Sequence, residues 1–197
     1  MTEKVPLLPV DNELAIDLWY EGPTFLIADK PFGVSVYPME SHSRGTLVNA
    51  LLQSNRWLAE METSISPGVI HVLRPEDRGL TLVAKSDDMA SELRELYQKS
   101  AITFSYRVQV PSSIKPTATD AVRIFDTHAY GELTIYDIDS PVGNTEEVAR
   151  KWLGPEAMHL ARFVCYRMIV PTPTKMFQIG LGERVLLPDI DLYTAPT

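Results

Sequence analysis

Apolar residues in this chain fall into short runs separated by Pro, Gly and charged turns. Phe25, Leu26, Ile27 and Ala28 form a continuous apolar run after the Gly22-Pro23 break, which predicts a buried strand. A turn at residues 29–33 then leads to residues 34–37, which read as a second strand and so as a hairpin. Thr46 precedes Leu47, Ala50, Leu51 and Leu58 at helical spacing, so a helix with Thr46 as N-cap is expected. Val69, Ile70, Val72 and Leu73 are apolar and mostly β-favouring, residues 80–84 are largely apolar again, and residues 75–79 between them are turn chemistry, so this stretch reads as strand, tight loop, strand. Ser86, Asp87 and Asp88 cap a second helix, with Met89, Leu93, Leu96 and Tyr97 as its apolar stripe and Glu92, Arg94, Glu95 and Lys99 as its wet face. Residues 103–110 alternate as a strand, and residues 132–139 and 163–170 read as two more. A short helix over residues 146–153 is closed by Gly154-Pro155. Strands and helices mixed in this way predict an α+β fold. Residues 1–18 are expected to be an N-terminal arm, and residues 19–197 a single domain.

Composition narrows the function classes only modestly. The chain has 197 residues, 18 basic against 26 acidic, for a net charge of −8. That balance argues against broad, non-specific affinity for nucleic acid, although a local basic groove is compatible with it. No apolar run approaches membrane-span length, so no membrane partner is expected. The N-terminus shows neither the basic nor the apolar region of a signal peptide, and a cytoplasmic location is the expectation. Cys165 is the single cysteine and sits in an apolar run, which reads as a buried thiol. His128 and His159 have no ligand spacing around them, so neither a metal nor another cofactor is expected.

The stretch GVIHVLRPEDRGLTLVAK, residues 68–85, resembles the signature G-I-V-H-R-L-D-x-x-T-S-G-L-L-V-V-A-K of pseudouridine synthases of the RluA class, in register and with no gap. In that family the Asp is catalytic. Here its position holds Arg74, and the position of the family's Arg holds Val72. Lys30, Pro31 and Gly33 match the family's N-K-P-x-G, with Lys30 read either as a solvated turn residue or as a phosphate contact. Residues 45–52 match G-T-L-V-N-A-L-L, a structural motif followed here nearly letter for letter. Tyr97, Ile102, Phe104 and Tyr106 fall on F-x-x-x-x-V-x-K-x-Y, so Phe104 replaces the Lys. In the family that Tyr packs against the flipped uracil, and Tyr106 reads equally as that platform or as a core aromatic. Residues 138–143 are weakly similar to I-x-x-P-I-G. On T-G-R-T-H-Q-I-R, Lys175 takes the first Arg place, Gln178 and Ile179 match, Phe177 replaces the His and Gly180 the second Arg. Residues 186–189 and Tyr193 resemble the closing P-L-x-G-D-x-x-Y.

The resemblance implies a mixed, mainly antiparallel sheet with flanking helices around a central cleft, and RNA modification by uridine isomerisation. Such an enzyme needs a carboxylate acting on a base taken out of its stack. Arginine cannot substitute, because it has no lone pair to offer and stays protonated. The substitutions at Val72, Phe104 and Gly180 remove the cations that would hold the carboxylate, as expected of a site no longer under catalytic demand. Two readings follow. One is a pseudoenzyme with no catalytic residue, binding RNA (tRNA or ribosomal RNA) or a protein partner through the former cleft. The other is an active isomerase with a relocated acid, for which Asp77 is the candidate. Asp77 stands three residues past the lost Asp, about 10 Å of extended chain, and also reads as a loop residue paired with Arg74 or Arg78. Residues carried over as substrate-binding are His71, Leu73, Arg74, Tyr106, Lys175, Gln178 and Ile179. The oligomeric state is left open.

Overall fold

The computed structural model describes residues 8–38, 44–61, 68–173 and 175–182. Along the chain these form β1 (Asp17–Glu21), β2 (Phe25–Lys30), α1 (Leu47–Ser54), β3 (Arg78–Ala84), α2 (Asp87–Gln98), β4 (Thr103–Pro111), β5 (Arg123–Tyr130), β6 (Leu133–Ser140), α3 (Thr145–Leu153), β7 (Arg162–Pro171) and β8 (Met176–Gly180). The strands make one mixed sheet in the order β1-β2-β3-β7-β4-β6-β5, with β8 also paired to β7. β3 and β7 run parallel, over the pairs Arg78↔Val164 and Gly79↔Cys165, and the other pairings are antiparallel. The α+β, mainly antiparallel expectation therefore holds. Gly79 makes the parallel contact possible: its φ is +120°, and a Cβ there would fall 2.2 Å from the Cys165 carbonyl oxygen.

The three helices start where side chains satisfy their first amides. Thr46, Ser86 and Asn144 each accept from backbone N–H groups two or three residues on. All of β2 is buried, and β4 buries Phe104, Tyr106, Val108 and Val110. Trp152 of α3 is buried against the Tyr136 ring, with 5.2 Å between centroids. The described part of the N-terminal arm docks on α1: Asp11 accepts from Gly45 N–H at 2.8 Å, and Asn49 Nδ2 donates to the Pro9 carbonyl at 2.8 Å. Asp17 and Leu18, at the arm's expected end, already belong to β1.

Two expected strands are absent. Residues 34–37 make only a Ser35–Thr46 bridge. Pro31 and the turn at Gly33, φ +78°, swing the chain away from β2. Ser35 and Val36 then give their carbonyls to the first amides of α1, at 2.9 and 3.2 Å, and β2 pairs with β1 and β3 instead of forming the expected hairpin. Residues 69–73 likewise make only the Val69–Val83 bridge. Beyond it the chain peels from the sheet toward α3: the Val72 carbonyl accepts from Thr145 N–H at 3.2 Å, and Arg74 N–H donates to Thr145 Oγ1 at 3.0 Å.

Candidate functional site

The loop from His71 to Arg78 is wedged between β3, α3 and the entry to β7. Arg74 is 7% exposed and Asp77 is fully buried, and their side chains form a two-pronged ion pair. Arg74 Nε donates to Asp77 Oδ2 at 2.7 Å, and Nη2 donates to Oδ1 at 3.0 Å. The guanidinium then reaches across to the β7 approach. Nη1 donates to the Met158 carbonyl at 2.6 Å and Nη2 to the Ala161 carbonyl at 3.0 Å. Its Cζ lies over the Phe163 ring, 5.4 Å from the centroid. Asp77 Oδ1 also accepts the Phe163 amide at 2.9 Å. Burial pushes the Asp77 carboxyl up, while its hydrogen bonds from Arg74, Thr145 and the Phe163 amide pull it down. Burial also works against the Arg74 charge, but the bond to Asp77 lifts the guanidinium above its ordinary value. The pair and its satellites staple the loop to a segment more than eighty residues further on.

The space beside this staple is filled with rings. His71 is 2% exposed, its Nε2 lies 3.1 Å from the Leu80 carbonyl, and its ring centroid is 4.5 Å from that of Phe104. Its Nδ1 is buried with no hydrogen-bond partner. Burial lowers its pKa to about 4. Phe104 stacks toward Tyr106 at 6.4 Å and meets Tyr97 edge-on at 6.0 Å. Tyr106 is fully buried and donates its hydroxyl to the Val142 carbonyl at 3.0 Å, so here it is a core aromatic. Gly143 closes the lid, since a Cβ there would meet His71 Cβ at 2.6 Å and Phe104 Cζ at 2.7 Å. The weak motif at residues 138–143 is thus the segment that covers the rings.

The remaining carried-over residues are scattered by the fold. Leu73 is core, at 1% exposure. Lys30 is fully buried instead of solvated or facing a phosphate: its Nζ donates to the carbonyls of Pro31, Val34 and Pro75 at 3.0, 2.6 and 3.4 Å, and burial lowers its pKa to about 8. Pulling Pro75 toward the Gly33 turn, it ties the two loops together. Lys175 is exposed in the turn before β8, and Gln178 and Ile179 lie on β8 opposite Ile169 and Met168. Met176 stands beside Pro171, eight residues along β7 from the Phe163 that Arg74 covers, about 26 Å at strand rise. Gln178 and Ile179 face Ile169 and Met168, six and five residues along β7 from Phe163, about 20 and 17 Å at strand rise, so β8 does not bring Lys175, Gln178 or Ile179 to Arg74. Cys165 is buried, and burial pushes its thiol up. His42, which the sequence places in a polar loop before α1, and residues 186–193 lie outside the described residues.

One expectation needs correcting at β5. His128 is not alone: Nε2 lies 2.9 Å from Asp126 Oδ2, and the hairpin register brings Asp137 alongside, so that one donor atom from each lies within 4.8 Å of the others. Both Asp137 oxygens are already engaged by Arg107, at 2.9 and 2.8 Å. The spacing was invisible in sequence because Asp137 arrives across the hairpin. The same holds for Thr145, Met158, Ala161 and Phe163 around Arg74, whose roles are mostly backbone or arise from distant segments.

The fold is shared with one class of protein. No family model matches the chain. In sequence it is 30% identical over 113 residues, 57% of this chain and 36% of the relative, to an uncharacterized RNA pseudouridine synthase of Aquifex aeolicus. It is 35% identical over 100 residues, 50% of this chain and 31% of the relative, to one of Synechocystis. The chain spans about a third of the length of these curated relatives. In structure it is similar to human RNA pseudouridylate synthase domain containing 4, with a TM-score of 0.57 and 13% identity, over 91% of this chain and 94% of that one. The fold is that of the pseudouridine synthases, and the matched stretches of sequence are similar to RNA pseudouridine synthases. Among the described residues no helix is long and apolar enough to cross a membrane.

Proposed function

We propose that this chain is a pseudouridine synthase relative without isomerase activity, which acts by binding an RNA or a protein partner. The observation that carries this reading is the Arg74–Asp77 pair. The position where the family has its catalytic carboxylate holds a guanidinium, and the nearest carboxylate is buried, aimed at that guanidinium and bonded to the Phe163 amide. A carboxylate acting on a base or sugar must reach it and must be free to accept a proton or donate an electron pair there. Asp77 has neither exposure nor a free face in this arrangement. The ring cluster of His71, Phe104 and Tyr106 under Gly143 supports the same reading, because it occupies the side of β4 where the family's Tyr would meet a flipped uracil. Of the carried-over basic residues, Lys30 and Arg74 are buried and bonded and Lys175 alone is exposed, in the turn before β8, while the neighbouring Arg78 pairs with Asp29 at 2.9 Å. RNA held by this chain would therefore be held weakly and would be released steeply by salt.

The test is tritium release from RNA carrying [5-³H]uridine. No release above background is expected from the purified chain on bulk tRNA or ribosomal RNA. Stoichiometric release would overturn the reading, and its loss in Asp77→Asn would point to the relocated acid.

A further inference from the structure

The two edges of the sheet differ in how they are protected. β1 is short, bulged at Trp19, and carries acids at both ends, Asp17 and Glu21. Two copies of it paired antiparallel about Trp19 would set Asp17 against Glu21 twice, and like charges directly opposite destabilise a strand pair. β5 is the other edge, eight residues long, with every residue exposed. Ile124, Phe125 and Tyr130 stand 45%, 45% and 50% exposed on it. It has no Pro and no Lys, and a bulge at Phe125 is the feature that blunts it. A long edge with large apolar side chains and unpaired backbone groups is a template for another strand.

We infer that β5 is a pairing surface for a second copy of this chain, joined antiparallel about a two-fold axis at Thr127. The sequence of the strand is self-complementary about that residue. The axis sets Asp126 of one copy opposite His128 of the other, twice, while the bulge at Phe125 turns Ile124 to the sheet face opposite Tyr130, so the complementary stretch runs from Asp126 to His128. Within one chain Asp126 already holds its own Thr127 amide at 2.8 Å and lies 2.9 Å from His128, so pairing exchanges these contacts for equivalent ones between copies. An antiparallel pair of identical edges is closed by its two-fold axis and buries both copies of β5, so growth stops at the dimer. The contact is one strand wide, below the area of obligate dimers, so a weak dimer that forms with rising concentration is expected. The inference stands independently of the proposed function, since β5 takes no part in the Arg74 loop.

Sedimentation equilibrium of the full chain, from about 1 to 300 µM, reads the mass directly. The expected result is a rise from monomer to dimer mass with no larger species. His128→Asp, which sets Asp against Asp twice, weakens the dimer about tenfold or more. Combining it with Asp126→His restores the complementarity and the dimer. Ile124→Lys with Tyr130→Lys abolishes it, and because both side chains are exposed the fold, checked by circular dichroism, is retained. A monomer at every concentration would overturn the inference, as would a dimer indifferent to His128→Asp or a double swap that fails to recover it. A dimer formed only with added Zn²⁺ and dissolved by EDTA would make the Asp126–His128–Asp137 cluster the contact, and would overturn it too.

Discussion

The Arg74 loop and the β5–β6 hairpin invert the usual placement of polarity. The loop is the most charged short stretch of the chain, yet Arg74, Asp77 and His71 are buried, as is the nearby Lys30. The hairpin's outer strand carries Ile124, Phe125 and Tyr130, yet all of it faces water. Charge is tolerated inside only when each group is paired, and the loop meets that condition almost completely, with His71 Nδ1 left over. Apolar surface stays outside on a long unprotected edge chiefly when something covers it. The charged Arg74 loop thus behaves as a structural core, and the exposed apolar side chains sit on the far edge of the sheet.

The sharpest way to break this comparison is Arg74→Asp. It restores the family's residue, but beside Asp77 and with the Met158 and Ala161 carbonyls left without their donor. Breaking a buried ion pair by removing one partner costs about 3–5 kcal/mol, and a second carboxylate adds repulsion. The variant is expected to lose about 5 kcal/mol or more in urea unfolding and to remain silent in tritium release. Stable, active Arg74→Asp would show a catalytic site intact apart from one residue.

The buried, half-satisfied His71 makes the loop sensitive to acid. Its folded pKa of about 4 lies below the ordinary 6.5. As pH falls below 6.5 the unfolded chain takes up the proton first, so stability falls between pH 6.5 and 4 and levels off below that. The loss from this group amounts to about 3 kcal/mol at ~1.36 kcal/mol per pKa unit. Urea midpoints measured across that window should show it, and His71→Leu should flatten the profile there.

Gly143→Ala tests the lid over the rings. The added methyl must displace His71 or Phe104, and overpacking of a filled core costs about 1–3 kcal/mol. No measurable loss would mean that the rings have room to move. At the other end of the scale, Ile124→Lys with Tyr130→Lys should change monomer stability by no more than about 0.5 kcal/mol, because neither side chain is buried. A larger loss would place β5 inside a core after all.

Much of the scaffold was legible from local chemistry. The N-caps Thr46 and Ser86, the end of α3 at Gly154 and the strands β2, β4, β6 and β7 all follow from patterns within a dozen residues. β5 was missed because RIFDTHAY mixes apolar and polar residues without alternation, as an edge exposed on both faces allows. β8 was read only as a motif, since its strand character comes from pairing to β7. Residues 34–37 and 69–73 have β-favouring composition, but their backbone groups go to α1 and to Thr145, partners that composition does not reveal. At the site, the Arg74–Asp77 pairing at i, i+3 was among the readings of the loop. That the pair is sealed by Met158, Ala161 and Phe163 depends on tertiary contacts with no local signature.

The central claim is that charge in the Arg74 loop holds the fold together. A double-mutant cycle on Arg74→Met and Asp77→Asn, followed by urea unfolding, measures it most directly. The account predicts that Asp77→Asn alone costs about 3–5 kcal/mol and that the two sites couple by at least ~1 kcal/mol. Asp77→Asn within about 0.5 kcal/mol of the unmodified chain, with no coupling, would contradict it.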